Sequence, residues 1–167
     1  MNRMATRLRN AGFAALLGLC ASSAFAQSPA EFINDASAKG MADIEASRLA
    51  HQKTESKEVK DYTIIVINDR TTANQHLAKI AKQLDLPVAP REEVADKAKA
   101  LMPQVMDGAS FDQAYVASQV KTTQEAIEQL QQVAQTTEVP EIKAFAEETL
   151  PKLQNHLQMA KALQASR

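Results

Sequence analysis

This chain of 167 residues has no tryptophan, one cysteine (Cys20), four glycines and only seven aromatic residues. One cysteine excludes an intrachain disulfide and a thiolate metal cluster, and it leaves stability to packing. Four scattered glycines exclude a glycine-rich loop that cradles phosphate. No Gly-x-Ser-x-Gly turn occurs and no base neighbours a nucleophile, so the nucleophile elbow of the hydrolases is missing. No Glu-x-x-His pair occurs either, although di-iron and di-manganese helical bundles carry that spacing on two helices. An apolar run long enough to span a bilayer, about 20 residues, is also absent.

The first 26 residues have a pattern of their own. Arg3, Arg7 and Arg9 precede an apolar stretch from Ala11 to Cys20, and Ala24-Phe25-Ala26 ends it before Gln27. A basic start, a short apolar middle and an A-x-A exit make a secretory signal peptide, so residues 1–26 are expected to be cleaved. Leu19 before Cys20 is not the small residue that lipoprotein processing prefers, which argues against a lipid anchor. The protein is therefore expected in the periplasm or secreted, with residues 27–167 as one domain. The three arginines leave with the signal, which holds no acid. Nineteen basic residues become 16 against 20 acidic ones, a net charge of −4. That excess opposes binding to nucleic acid, whose partners carry a basic face.

Alanine, glutamine, lysine, glutamate and leucine dominate, a helical composition. Ser28-Pro29-Ala30-Glu31 forms a capping box, and Asn34, Ala38, Met41, Glu45 and Leu49 follow at helical spacing until about Lys53-Thr54. A second helix is expected over about 56–84, with the stripe Val59, Thr63, Val66, Arg70, Ala73, Leu77, Ile80 and Leu84. Its run Thr63-Ile64-Ile65-Val66-Ile67 is β-branched like a strand, but the 3.6-residue period continues on both sides and predicts helix. Pro87 and Pro90 keep the next segment out of helix. A shorter helix over about 91–107 carries Val94, Ala98, Leu101 and Val105, with Pro103 a kink or split and Asp107-Gly108 a stop. Ser110 with Gln113 offers another capping box. Helices over about 111–135 and 140–165 complete the chain. The expected fold is all-α: an antiparallel four-helix bundle with a short extra helix between the second and third long helices.

Each long stripe carries a polar residue near its middle: Glu45, Arg70 with Asp69 beside it, Thr123 and His156. In an antiparallel bundle these heights coincide, which predicts a polar cluster in the core. A carboxylate on an apolar face needs a partner, and a guanidinium offers a fork of donors, so a Glu45/Asp69–Arg70 network is the first expectation. The alternative is a transition-metal site on Glu45, Asp69 and His156, against which a cation at Arg70 works. His51 and His76 sit among lysines and glutamines, as solvated residues would. Met41, Met102, Met106 and Met159 suit core filling better than copper binding. Ile64 and Ile67 lie off the main stripe and need cover, from the short helix or from a second copy of the chain.

Several segments resemble a known family: Phe32-Ile33, Gly40-Met41-Ala42-Asp43-Ile44-Glu45, Val59-Lys60-Asp61-Tyr62 and Asn68-Asp69-Arg70-Thr71-Thr72-Ala73-Asn74. Phe111-Asp112-Gln113-Ala114-Tyr115-Val116 and Leu150-Pro151-Lys152-Leu153-Gln154-Asn155-His156-Leu157 are the most specific. Over about residues 30–164 the chain is similar to the bacterial exported family termed domain of unknown function 4142, also labelled predicted outer membrane protein. The resemblance implies a ferritin-like helical bundle. Family members typically have Asp-His where this chain has Asp69-Arg70, and a histidine near Thr123, whereas Glu45 and His156 match. Two imidazoles that could bind metal are thus replaced here. The expectation is an exported, soluble, non-catalytic helical bundle with a binding or envelope-stress role and no cofactor. The alternative is a ferritin-like protein of metal or oxidant handling. The label gives no topology, since neither alternating strands nor a second apolar span occurs.

Overall fold

A computed structural model describes residues 27–101 and 110–166, and every regular element in them is helical. The helices are α1 (Pro29–Lys53), α2 (Lys57–Gln83), α3 (Arg91–Leu101), α4 (Ser110–Thr136) and α5 (Pro140–Ala165). The expected boundaries of α1, α2, α4 and α5 agree within two residues. Pro103, Met102, Val105, Met106 and Asp107-Gly108 lie outside the described residues, as does the side chain of Ser110.

Local chemistry explains the ends. The Ser28 hydroxyl accepts the Glu31 amide at 3.2 Å, and the Glu31 carboxylate accepts the Ser28 amide at 3.0 Å. Both bonds satisfy donors that the first turn leaves unpaired. Ser56 caps α2 through the Val59 amide at 3.3 Å. At the other end of α2, the Leu86 amide donates to the Ala81 carbonyl at 3.0 Å while Asp85 takes a φ of 49°. That left-handed residue closes a Schellman turn and sends the chain into the proline-bounded connector. The β-branched run Thr63 to Ile67 is helical, as its flanking period predicts.

The helices pack pairwise: α1 on α2, α4 on α5, α2 on α5 and α1 on α4, with α3 lying on α1. Two apolar clusters fill the interior. One gathers Phe32, Leu77, Ile80, Leu130, Phe145 and Leu153, and the other Val59, Tyr62, Val66, Phe111, Tyr115 and Ala160. Burying each large side chain stabilises by about 1.5–3 kcal/mol. Along α1 and α5 the first cluster precedes the second, and along α2 and α4 the order is reversed.

The stripe expected for α1 needs correction. The buried line of α1 runs through Phe32, Gly40, Asp43, Ser47 and Ala50, whereas Glu45 is exposed and Asn34, Met41 and Leu49 are half-buried. Of the expected stripe Ala38 is buried and Leu49 packs on the second cluster, while Asn34, Met41 and Glu45 turn toward the outer face. On α3, Val94 and Ala98 are buried as expected, and Lys97 pins the helix to α1 through Asp35. Ile64 remains 46 % exposed and Ile67 half-buried. Among the described residues no helix is long and apolar enough to cross a membrane.

Candidate functional site: a polar layer between two apolar halves

Between the two apolar clusters, each long helix contributes polar side chains to one layer. α1 supplies Asp43, α2 supplies Asp69 and Arg70, α4 supplies Gln119, Thr122 and Thr123, and α5 supplies His156. Arg70 Nη2 lies 2.7 Å from Asp43 Oδ2, with the two side chains 10 % and 7 % exposed. The other Asp43 oxygen accepts from Thr122 Oγ1 at 3.2 Å and from Gln119 Nε2 at 3.5 Å. A buried carboxylate must have such partners, because leaving either charge unpaired costs several kcal/mol.

His156 is 1 % exposed, and its Nε2 lies 2.8 Å from Oδ2 of the half-exposed Asp69. Burial holds the imidazole below its ordinary value of 6.5, and the Arg70 charge adds to this against the opposing pull of Asp69. The ring is therefore neutral at pH 7. An ionised carboxylate only accepts, so Nε2 carries the proton and donates it to Asp69, which leaves Nδ1 as a bare acceptor. The Tyr62 ring meets the edge of His156 at 6.5 Å between centroids, and the Tyr115 ring at 6.3 Å. Tyr115 shares a 2.8 Å hydrogen bond with Ser47. Burial, reinforced by Asp43, pushes the Tyr62 phenol far up. Tyr115 moves the same way, chiefly through burial. Neither phenol ionises near neutral pH.

Among the described residues, four buried atoms of this layer find no hydrogen-bond partner: Tyr62 Oη, Arg70 Nε, Gln119 Oε1 and His156 Nδ1. Buried polar atoms are rarely left so. Donors and acceptors occur together in this set, a combination that water bridges.

The structure brings His156 to Asp69, beside Arg70, and buries Thr123 near Tyr62, but Glu45 does not join them. Asp43 and Glu45 are two residues apart, which turns them about 200° around the helix. Glu45 faces outward and pairs with Arg48 at 2.6 Å, both about half exposed. The acid that meets Arg70 is Asp43, which the sequence reading missed. The metal set Glu45, Asp69 and His156 is accordingly not assembled, and among the described residues no group of three or more His, Cys, Asp or Glu side chains is placed to hold a metal ion. The residues present do not fit a metal: the guanidinium stands against the inner carboxylate, and the histidine proton is committed to Asp69.

The other histidines differ from each other. His51 is half-buried rather than solvated, its Nδ1 2.9 Å from Thr63 Oγ1, while His76 lies 3.8 Å from Glu148 near the surface. Met41 lines an outer groove instead of the core. Met159 packs on the second apolar cluster as expected.

A family model described as Domain of unknown function (DUF4142) matches residues 14–163. No curated protein and no solved structure matches the chain.

Proposed function

We propose, for a chain that belongs to the DUF4142 family, an exported, non-catalytic role as a ferritin-like antiparallel four-helix bundle whose charged centre is structural and metal-free. The arrangement of the long helices supports the bundle. Contacts join α1–α2, α2–α5, α5–α4 and α4–α1, and neighbours in that circuit traverse the two apolar clusters in opposite order. Export is supported by the basic, apolar and A-x-A pattern of residues 1–26. The function proposed is binding, in the cell envelope or outside the cell, in the manner of an envelope-stress protein.

The observation that carries the metal-free reading is the 2.7 Å pair of Arg70 with Asp43. Arg70 supplies by covalent attachment the positive charge that a bound cation would bring to inward carboxylates. The test is elemental analysis of protein purified without chelator, with melting curves in the presence and absence of EDTA. The expected result is no stoichiometric transition metal and no EDTA effect. About one metal per chain and a lower melting temperature in EDTA would replace this reading with metal or oxidant handling.

A further inference from the structure

Away from the polar layer, the outer sides of α1 and α2 line a groove of about 790 Å³, with the connector and the start of α3 at one end. That volume lies within the range of small-molecule sites. Its lining on α1 extends from Ile33 to Arg48, about 22 Å at 1.5 Å per residue. Ile33, Met41, Ile44, Ala78, Ala81 and Val94 give it an apolar floor, and Val88 at the connector end is 37 % exposed.

Four polar side chains along the groove, Asn34, Asn74, Glu45 and Arg48, are engaged within the chain. Asn34 Oδ1 accepts the Ala89 amide at 2.8 Å, which ties the connector to α1. Asn74 Nδ2 donates to the Ser37 carbonyl at 3.1 Å. Arg48 is neutralised by Glu45 at the other end. At the connector end the lining includes Lys82, Arg91 and the acid Asp85, with Glu92 and Glu93 following in the first turn of α3 but outside the lining. Neither cation makes an ion pair within the 4 Å limit among the described residues.

We propose that this groove binds a single-chain amphiphile with an anionic head, a fatty-acid-like carboxylate, its chain along the α1–α2 floor and its head at Lys82 and Arg91. An acyl chain needs no hydrogen bonds from the apolar floor, whereas an extended peptide would bury unpaired amides against it. Among the lining residues two cations against one acid at the connector end and a neutral pair at the other set the direction. The site lies outside the polar layer, so it stands or falls independently of the metal-free reading.

The test is calorimetric titration of the purified chain with dodecanoate below its micelle concentration, with dodecanol as the uncharged control. Dodecanoate is expected to bind and dodecanol to bind more weakly. The double variant Lys82→Glu/Arg91→Glu should weaken dodecanoate about tenfold, from two exposed charge contacts at about 0.7 kcal/mol each. Ala78→Trp, which fills the groove from an exposed position, should abolish binding with the melting temperature retained. Absence of dodecanoate binding, or binding indifferent to both the head charge and the double variant, would overturn the proposal. So would a dimer in solution that Ala78→Trp dissociates, because the groove would then belong to a second copy.

Discussion

Two acids on α1, Asp43 and Glu45, each meet an arginine at nearly the same distance, 2.7 and 2.6 Å. The first pair is within a tenth of full burial on both sides, and the second is about half exposed. Geometry alone would rank them equal. Inside, the charges have left water and depend on each other and on Thr122 and Gln119, so losing one partner strands the other. Outside, water and salt take over when a partner goes, and an i,i+3 pair on a helix surface contributes little. The same helix thus carries one ion pair that organises the core and one that decorates the rim of a groove. Burial, not proximity, separates them.

The sharpest way to break the comparison is to remove each arginine in turn. Arg70→Ala should destabilise by about 3–5 kcal/mol, because Asp43 is left buried without its cation. Chemical denaturation measures it. Equal small losses for Arg70→Ala and Arg48→Ala would erase the distinction between the two faces.

A smaller effect probes how the inner face is built. A Cβ on Gly40 would lie 2.3 Å from Asn74 Oδ1, so Gly40→Ala must displace Asn74 and disturb its bond to the Ser37 carbonyl. Overpacking costs about 1–3 kcal/mol and the gain in helix propensity returns up to about 1. The net expectation is a loss of about 1 kcal/mol, read from the denaturation midpoint. Adding Asn74→Ala in the same chain should recover part of it, and no recovery would mean that the close approach is not what Gly40 provides.

Acid should act on the inner layer first. The folded-state value of His156 lies below the 6.5 of the unfolded chain, so the unfolded state binds more protons in the window between the two. Stability from this group is complete above about pH 6.5 and declines as pH falls below it. Glu31 and Asp35 are also held low. Glu31 is stabilised by its capping bonds to Ser28, and at Asp35 Lys97 and Lys39 outweigh the upward push of burial. Their contributions fade only below the ordinary carboxylate values of 4.5 and 3.8. Melting temperatures taken from pH 7.5 to 5.5 should therefore fall, and His156→Gln should flatten that part of the curve. An unchanged slope would remove His156 as its source. The smallest effect belongs to the outer face: Arg48→Ala should change stability by no more than about 0.5 kcal/mol, and added salt should shrink even that.

The contrast between the faces also marks how far the sequence could be read. Helix ends were legible because Ser28, Ser56, Pro29 and Pro140 carry their capping chemistry in their identity. Arg70, Thr123 and His156 were legible because they interrupt apolar stripes of helices that bury one clear side, and Asp69 only as the neighbour of Arg70. α1 has no such clear side. Its inner line holds Gly40, Asp43, Ser47 and Ala50, small or polar residues that let α2 approach, while Met41 marks the side toward the groove. Hydrophobic bulk therefore favoured Glu45 over Asp43. A second signal was available in the spacing of the small residues, which follows the helical period through Gly40. Gln119 and Tyr115 gave less warning, since their roles depend on which α4 face meets α1.

The central claim is that Asp43 and Arg70 hold the core as a coupled pair, and a double-mutant cycle tests it most directly. Denaturation of the parent, Asp43→Leu, Arg70→Met and the combined variant yields the coupling. Each single change is expected to cost several kcal/mol and the combined variant to regain most of the loss, since an apolar replacement of a buried pair is often neutral or stabilising. Single losses that are small and simply add in the combined variant would contradict it.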